Sequence, residues 1–238
     1  MEPLRSAIHE RHLAAGAEMI SVGGWAVPAH YGDAEAELAR ARRRAAVLDV
    51  SCVARIRIRG GGALDVLEEV CTADAAKQED NTAVGTLLRS ESGRAQDDGL
   101  LVRLEGFWVL TCDPHRREAV LGRLQSVAER LGAKVDDQTL KTTMFQVVGP
   151  GAPEILDRLL PERVSALPAG AARLGAYMMA RYIVTRTGAG PSWSLEVTVP
   201  NMLAGLAWDF ITRKAGTDAI APAGWLAREA LLAQAPAG

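Results

Sequence analysis

Asp97 and Asp98 stand side by side at the edge of a turn, between Gly93 and the apolar run Leu100-Leu101-Val102. Carboxylates are general acid–base groups, and this pair is the strongest chemical candidate in the chain. Neighbouring side chains on a strand point to opposite faces, so only one of the two can enter a given pocket. Taken by itself, a turn-edge acidic pair is ordinarily solvated. The other reactive residue types offer less. His9, His12, His30 and His115 show no metal-ligand spacing. His9 and His12, at i and i+3, could share a helix face but have no third ligand, so surface or capping roles are expected. Cys52, Cys71 and Cys112 are far apart, odd in number and without a CxxC pair, against both a zinc site and a disulfide framework. A buried thiol is the expectation for Cys52. Gly60-Gly61-Gly62 lacks the GxGxxG spacing and the Lys-Ser/Thr of a phosphate loop and reads as a tight turn. In Gly149-Pro150-Gly151, Pro150 removes an amide that a phosphate would need.

The elements that must position these residues follow from the hydrophobic pattern. Leu4 to Met19 is expected to be a helix, ended by Gly23-Gly24, with a second helix over Ala34 to Val47. Ala54-Arg55-Ile56-Arg57-Ile58-Arg59 alternates strictly, as a half-buried strand does. A helix over Ala63 to Val70 follows the glycine turn. Strands are expected at Val84 to Arg89, Gly99 to Leu104 and Trp108 to Thr111, with a Ser92-Gly93 turn. Pro114 opens a long amphipathic helix to Leu131. The second half repeats the theme: strand Thr142 to Val148, helix Pro153 to Leu160, strands Tyr177 to Thr185 and Leu195 to Val199, and helix Asn201 to Lys214. Strand–helix units with paired strands between them predict an α+β protein of two ferredoxin-like sandwich halves. The Ala235-Pro236-Ala237-Gly238 tail is expected to fray.

With 48% hydrophobic and 24% charged residues over 238 positions, the chain can bury a full core. A net charge of −2 leaves no global basic field to draw nucleic acid or an anionic membrane. Arg40 and Arg42-Arg43-Arg44, behind Glu35 and Glu37, read as a solvated helix face. No stretch approaches the ~18 apolar residues of a membrane helix, and Met1 to Arg5 lacks a signal pattern. The expected compartment is a reducing cytoplasm.

Two blocks carry a family resemblance. Gly23-Gly24-Trp25-Ala26-Val27-Pro28-Ala29-His30-Tyr31-Gly32 precedes Ala46-Val47-Leu48-Asp49-Val50-Ser51. Gly93-Arg94-Ala95-Gln96-Asp97-Asp98 runs into Leu100-Leu101-Val102. Together they resemble the aminomethyltransferase family, the T-protein of the glycine cleavage system and its folate-dependent relatives. Ala73-Asp74-Ala75-Ala76-Lys77, Arg186-Thr187-Gly188 with Glu196, and Ala227-Arg228-Glu229 extend the resemblance over nearly the whole chain. It implies one T-protein-like folate-binding unit, with one subdomain over about 1–50 plus 140–238 and the other over about 51–139. It implies tetrahydrofolate as cofactor and a small-molecule one-carbon donor as substrate. Asp97 falls on the family's catalytic aspartate beside the pterin, where a carboxylate can orient an amine and steady a developing iminium cation. Asp98 is expected to be structural. Asp113 falls on the family's asparagine before the long helix, Glu196 on its closing glutamate, and Arg228 on an arginine that would hold the folate glutamate tail or a substrate carboxylate.

The chain departs from the family pattern in three places. Counting from Arg186, the middle glutamate that would accept two hydrogen bonds from the pterin becomes Ser192, whose hydroxyl cannot. The surrounding Tyr-Thr-Gly becomes Ala189-Gly190-Pro191, and a family tyrosine falls near Gly85. The sequence stops soon after Arg228, so the family's third domain, which closes around folate, falls outside it. A protein partner or a homo-oligomer could complete that lobe. Three readings stay open here: a folate-dependent one-carbon transferase, an enzyme that has kept the scaffold but acts on a specialised metabolite without folate, and a non-catalytic accessory subunit.

Overall fold

The computed structural model describes residues 2–160, 163–177, 179–188, 193–214 and 220–233. Ser192, with 189–191 before it, and the 235–238 tail lie outside the described residues.

The N-terminal stretch is not the single helix its apolar spacing suggested. It divides into strand β1 (Leu4–Arg5), a short helix α1 (His9–Ala14) and strand β2 (Glu18–Val22). Gly16 adopts φ +80°, a left-handed conformation that ends a helix. Gly23 and Gly24, both at positive φ, then make the two-residue turn of a hairpin into β3 (Trp25–His30), with Val22 opposite Trp25. Helix α2 stops at Arg43 (Ala34–Arg43), and the run assigned to its end is instead strand β4 (Ala46–Asp49). All four residues of β4 are buried, so the alternation that would mark a strand is missing.

Two larger sheets organise the rest. A five-stranded sheet has the order β6-β7-β8-β5-β9. It contains β5 (Ala54–Arg59), β6 (Thr82–Arg89), β7 (Ala95–Leu104), β8 (Phe107–Cys112) and β9 (Lys134–Asp137). Helices α3 (Ala63–Val70) and α4 (Arg117–Leu131) bury Val66, Leu67, Val70, Leu124 and Val127 against Ile56, Ile58, Leu101 and Leu110 of that sheet. Fully burying an aliphatic side chain of this size is worth about 1.5–3 kcal/mol. Gly62 permits the tight approach: a Cβ there would stand 1.9 Å from the Leu131 carbonyl oxygen.

The six-stranded sheet has the order β11-β12-β13-β10-β4-β14. Its strands are β10 (Thr142–Val148), β11 (Ala172–Tyr177), β12 (Ala180–Arg186), β13 (Ser194–Pro200) and β14 (Ala221–Pro222), with β4. Helices α5 (Ala152–Asp157) and α6 (Asn201–Asp209) pack on it through Ile155, Leu156, Ala204 and Trp208. Helix α7 (Trp225–Leu232) lies against α2 and β3. Its Trp225 and Ala227 are buried, so the apolar residues of this segment face the core, while Leu226 and Leu232 remain exposed.

Buried polar side chains tie these layers together. Glu37, expected on a solvated face, is buried: its carboxylate accepts from the Tyr31 amide at 2.6 Å and the Gly224 amide at 2.8 Å. His12, expected at the surface, is fully buried. Its Nε2 lies 2.8 Å from Asp49 Oδ2, and its Nδ1 lies 2.7 Å from the Tyr31 hydroxyl. Asp49 Oδ1 accepts from the amide of Ser51 at 2.9 Å and from the Ser51 hydroxyl. Burial alone would push the Asp49 carboxyl up, but hydrogen bonds from His12, Ser51 and Ser6 and the charge of His12 bring it below its ordinary value. Arg55, also fully buried, donates to the carbonyls of Ser51, Thr139 and Thr142 at 2.8–3.1 Å. Desolvation lowers its guanidinium to about 10. None of the helices among the described residues is long and apolar enough to cross a membrane.

Candidate active site

A cavity of about 1050 Å³ opens between the two larger sheets. That volume is at the upper end for sites that enclose a cofactor-sized molecule. One side comes from β10 and β13. Side chains alternate across a strand, and Val148 pairs with Ser194 while Gln146 pairs with Glu196. All four therefore share one face, and all four line the cavity. Gln146 Nε2 donates to Ser194 Oγ at 3.1 Å, and Thr187 Oγ1 donates to the same oxygen at 3.0 Å. The other side comes from β7 and β8: Gln96, Asp97, Asp98, Gly99 and Leu100 face Thr111, Cys112 and Asp113. Gly99 must be small, because a Cβ there would meet the Thr111 carbonyl oxygen at 3.0 Å. Ala41 and Arg42 of α2, with Arg228, Leu231 and Leu232 of α7, also line it.

Four of the five residues singled out from the sequence reach this cavity: Asp97, Asp113, Glu196 and Arg228. The fifth, Ser192, lies outside the described residues. Gly85 lies on β6 opposite Leu100, and an added side chain there would meet open space.

Asp97 is anchored by a residue that sequence inspection missed. Arg116 Nη2 donates to Asp97 Oδ2 at 2.6 Å, and Gln96 Nε2 approaches the same oxygen at 3.3 Å. Oδ1 accepts no hydrogen bond from the described residues. Asp98 is exposed. Asp113 caps the 3₁₀ turn at Pro114–Arg116: its Oδ1 accepts from the His115 amide at 2.8 Å.

Glu196 and Arg228 differ from these. Each keeps part of its surface open to the cavity yet is surrounded by protein. Burial raises the Glu196 carboxyl above its usual range, opposed by the charges of Arg228 and Arg55. Burial likewise lowers the Arg228 guanidinium, opposed by Cys52, Glu196, Asp113 and Glu229. Arg228 stacks its guanidinium 4.5 Å from the Trp225 ring centre, and its buried Nε has no hydrogen-bond partner among the described residues. The lining carries no cluster of metal ligands, and the described residues contain no group of three or more His, Cys, Asp or Glu placed to hold a metal. Cys112 borders the cavity as a buried thiol pushed up to about 12 by desolvation and the charges of Asp113 and Asp97.

Gln146, Ser194 and Arg116 are the parts of the site without a chemical signature in the sequence. Gln146 is a lone amide between Met144-Phe145 and Val147-Val148, which is the one signal it offers.

Comparison with known proteins gives the family and the fold. A family model described as the GCVT N-terminal domain matches residues 8–235. The chain is 28% identical over 230 residues to an aminomethyltransferase of Chlorobium phaeovibrioides, covering 95% of this chain and 63% of that protein. It is 30% identical over 235 residues to an aminomethyltransferase of Alcanivorax borkumensis, covering 97% and 63%. The chain thus spans 63% of the length of these curated relatives. Among solved structures, the glycine cleavage system aminomethyltransferase T of Bartonella henselae superposes with a TM-score of 0.85 at 23% identity, over 95% of this chain and 61% of that one. A chain of the heterotetrameric sarcosine oxidase of Corynebacterium superposes with a TM-score of 0.57 at 17% identity, over 90% and 96%. With its two larger sheets, the cavity between them and a family match over residues 8–235, this chain belongs to the GCVT N-terminal domain family and has the T-protein fold.

Proposed function

We propose that this chain carries the tetrahydrofolate-dependent, one-carbon-transferring site of an aminomethyltransferase-like enzyme, with Asp97 as its catalytic carboxylate. The observation that carries this reading is the convergence of Asp97, from the five-stranded sheet, and Arg228, from α7, on one cavity between the sheets. The relatives named aminomethyltransferase supply the reaction class.

The residues present suit a folate. The cavity has the necessary size, and Arg228, whose Nε has no hydrogen-bond partner among the described residues, is a cation suited to a carboxylate. Gln146, Ser194 and Thr187 line the cavity with amide and hydroxyl groups that would suit the polar edge of a pterin. Tetrahydrofolate, when bound, supplies the nitrogen that exchanges the one-carbon unit. Asp97 lines the cavity and is held by Arg116 through Oδ2. From there it can orient an amine, carry a proton and steady positive charge that develops on the transferred carbon. The low-dielectric walls strengthen that interaction relative to water.

Titration of the chain with tetrahydrofolate and 5,10-methylenetetrahydrofolate by calorimetry tests the reading. Micromolar or tighter binding, on the order of −8 kcal/mol, is expected. Absence of binding up to millimolar folate would sink it for this chain.

A further inference from the structure

Helix α7 lacks two features that ordinarily fix a helix start. Its N-cap, Gly224, has no side chain to accept a hydrogen bond, and its first turn carries no acidic residue. Another element supplies what is missing. Glu37 of α2 is buried, and its Oε2 accepts from the Gly224 amide at 2.8 Å. Its Oε1 accepts from the amide of Tyr31, just past β3, at 2.6 Å. One carboxylate thus joins α2, the end of β3 and the start of α7. It also places negative charge at the N-terminus of α7, where the helix dipole favours it.

The effect of this clip extends to the cavity. Arg228 lies one turn on from Gly224, and its amide donates to the Gly224 carbonyl at 3.3 Å. Its guanidinium stacks on Trp225, the first residue of α7. These two contacts lie in the turn that Glu37 holds. On α2, Glu37 and Ala41 are the buried residues, four apart on one face, and Ala41 lines the cavity. Glu37 is not in the lining itself. We propose that Glu37 is a positioning residue for the cavity: it clamps the first turn of α7 against α2 and β3, and so sets where Arg228 meets the ligand. The proposal rests on the one-carbon reading only for the ligand used in part of its test. Both partners of Glu37 are N–H donors, so a carboxylate can accept from both, whereas an amide in its place would turn an N–H toward one of them.

The test uses the intact chain with Glu37→Gln, Arg228→Gln and the double variant. Arg228 Nε is buried beside an indole ring, so its N–H should give a slowly exchanging, ring-shifted ¹⁵N NMR signal, assigned by its loss in Arg228→Gln. In Glu37→Gln that signal should move or broaden, while the amide signals of the five-stranded sheet stay in place and report a folded protein. Tetrahydrofolate affinity, by calorimetry, should fall about tenfold in Glu37→Gln, yet by less than about twofold when the same change is made on Arg228→Gln. A purely structural Glu37 would leave the Nε signal unmoved and cost the same factor in both backgrounds; either result overturns the proposal. Should Glu37→Gln fail to fold, Glu37→Asp, which keeps the charge but shortens the reach, carries the same two readouts. If the parent binds no tetrahydrofolate, the proposed function fails, and the Arg228 Nε signal alone decides for or against the role of Glu37.

Discussion

Arg116 Nη2 lies 2.6 Å from Asp97 Oδ2, joining the turn before α4 to the middle strands of the five-stranded sheet. The contact holds the Asp97 carboxylate in place at the cavity wall. Replacing Asp97 with Asn keeps the shape of the side chain and removes its charge. Folate affinity should then change by less than about tenfold, while carbon transfer falls by about 10²–10⁴. Arg116→Gln should give an intermediate loss, because Asp97 keeps its charge and loses its orientation. Calorimetry and single-turnover kinetics on the same samples separate the two effects.

Glu196 sets a pH dependence of stability. Its folded-state carboxyl is raised above the unfolded value, so the native state holds this proton more tightly than the unfolded chain does. The resulting stabilisation is fully present below the unfolded pKa and is lost as pH rises through the folded one. Glu196→Gln removes that dependence. The variant should be more stable than the parent at neutral pH, and the advantage should shrink in acid. Urea midpoints at several pH values measure this.

The buried link from His12 to Asp49 acts with the opposite sign. The Asp49 carboxyl is lowered, so its contribution is present above the unfolded carboxylate pKa and is lost as pH falls through the lower, folded value. Asp49→Asn should destabilise the protein by about 3–5 kcal/mol, since it leaves His12 without its buried partner. Equilibrium urea unfolding reads the change directly.

The three cysteines should be inert in the native protein. All are buried, and desolvation pushes Cys52 to about 12, Cys71 to about 11 and Cys112 to about 12. Thiolate is the reactive form, so iodoacetamide should label none of them until denaturant is added. Rapid native labelling of Cys112, at the cavity edge, would contradict this.

Gly224 controls the seating of α7. A Cβ at this position would stand 2.1 Å from the Ala29 carbonyl oxygen. Gly224→Ala should therefore displace the helix that carries Arg228, at a cost of about 1–3 kcal/mol in stability. Folate affinity should fall more than tenfold, while the five-stranded sheet keeps its hydrogen-exchange protection.

Much of this arrangement is legible in the sequence where one face is buried and the other wet. The alternation in Ala54–Arg59 and the proline before α4 are examples. Strand β4 was hidden because every one of its residues is buried, which removes the period-two signal. The hairpin β2–β3 was hidden because its apolar residues also fit a helical spacing, and only the positive φ at Gly16, Gly23 and Gly24 decides between the two. Asp97 and Arg228 could be singled out because the resemblance aligned them with residues of stated roles. Arg116 could not be singled out: the sequence gives no sign that it folds back to Asp97, 19 positions away. The same holds for His12 and Asp49, 37 positions apart, whose pairing exists only once α1 packs on β4.

The placement of Arg228 on α7 has a consequence for synthesis. A ribosome delivers β7, β8, β10 and β13 before α7, so the nascent protein can pair these strands while the cavity still holds the Glu196 carboxylate without Arg228. Until Gly224 seats against β3 and Arg228 arrives, that carboxylate has Arg55 but not Arg228 to offset its charge. The carboxylate would then favour its protonated form more strongly, and docking of α7 would bring the second cation beside it and help the proton leave.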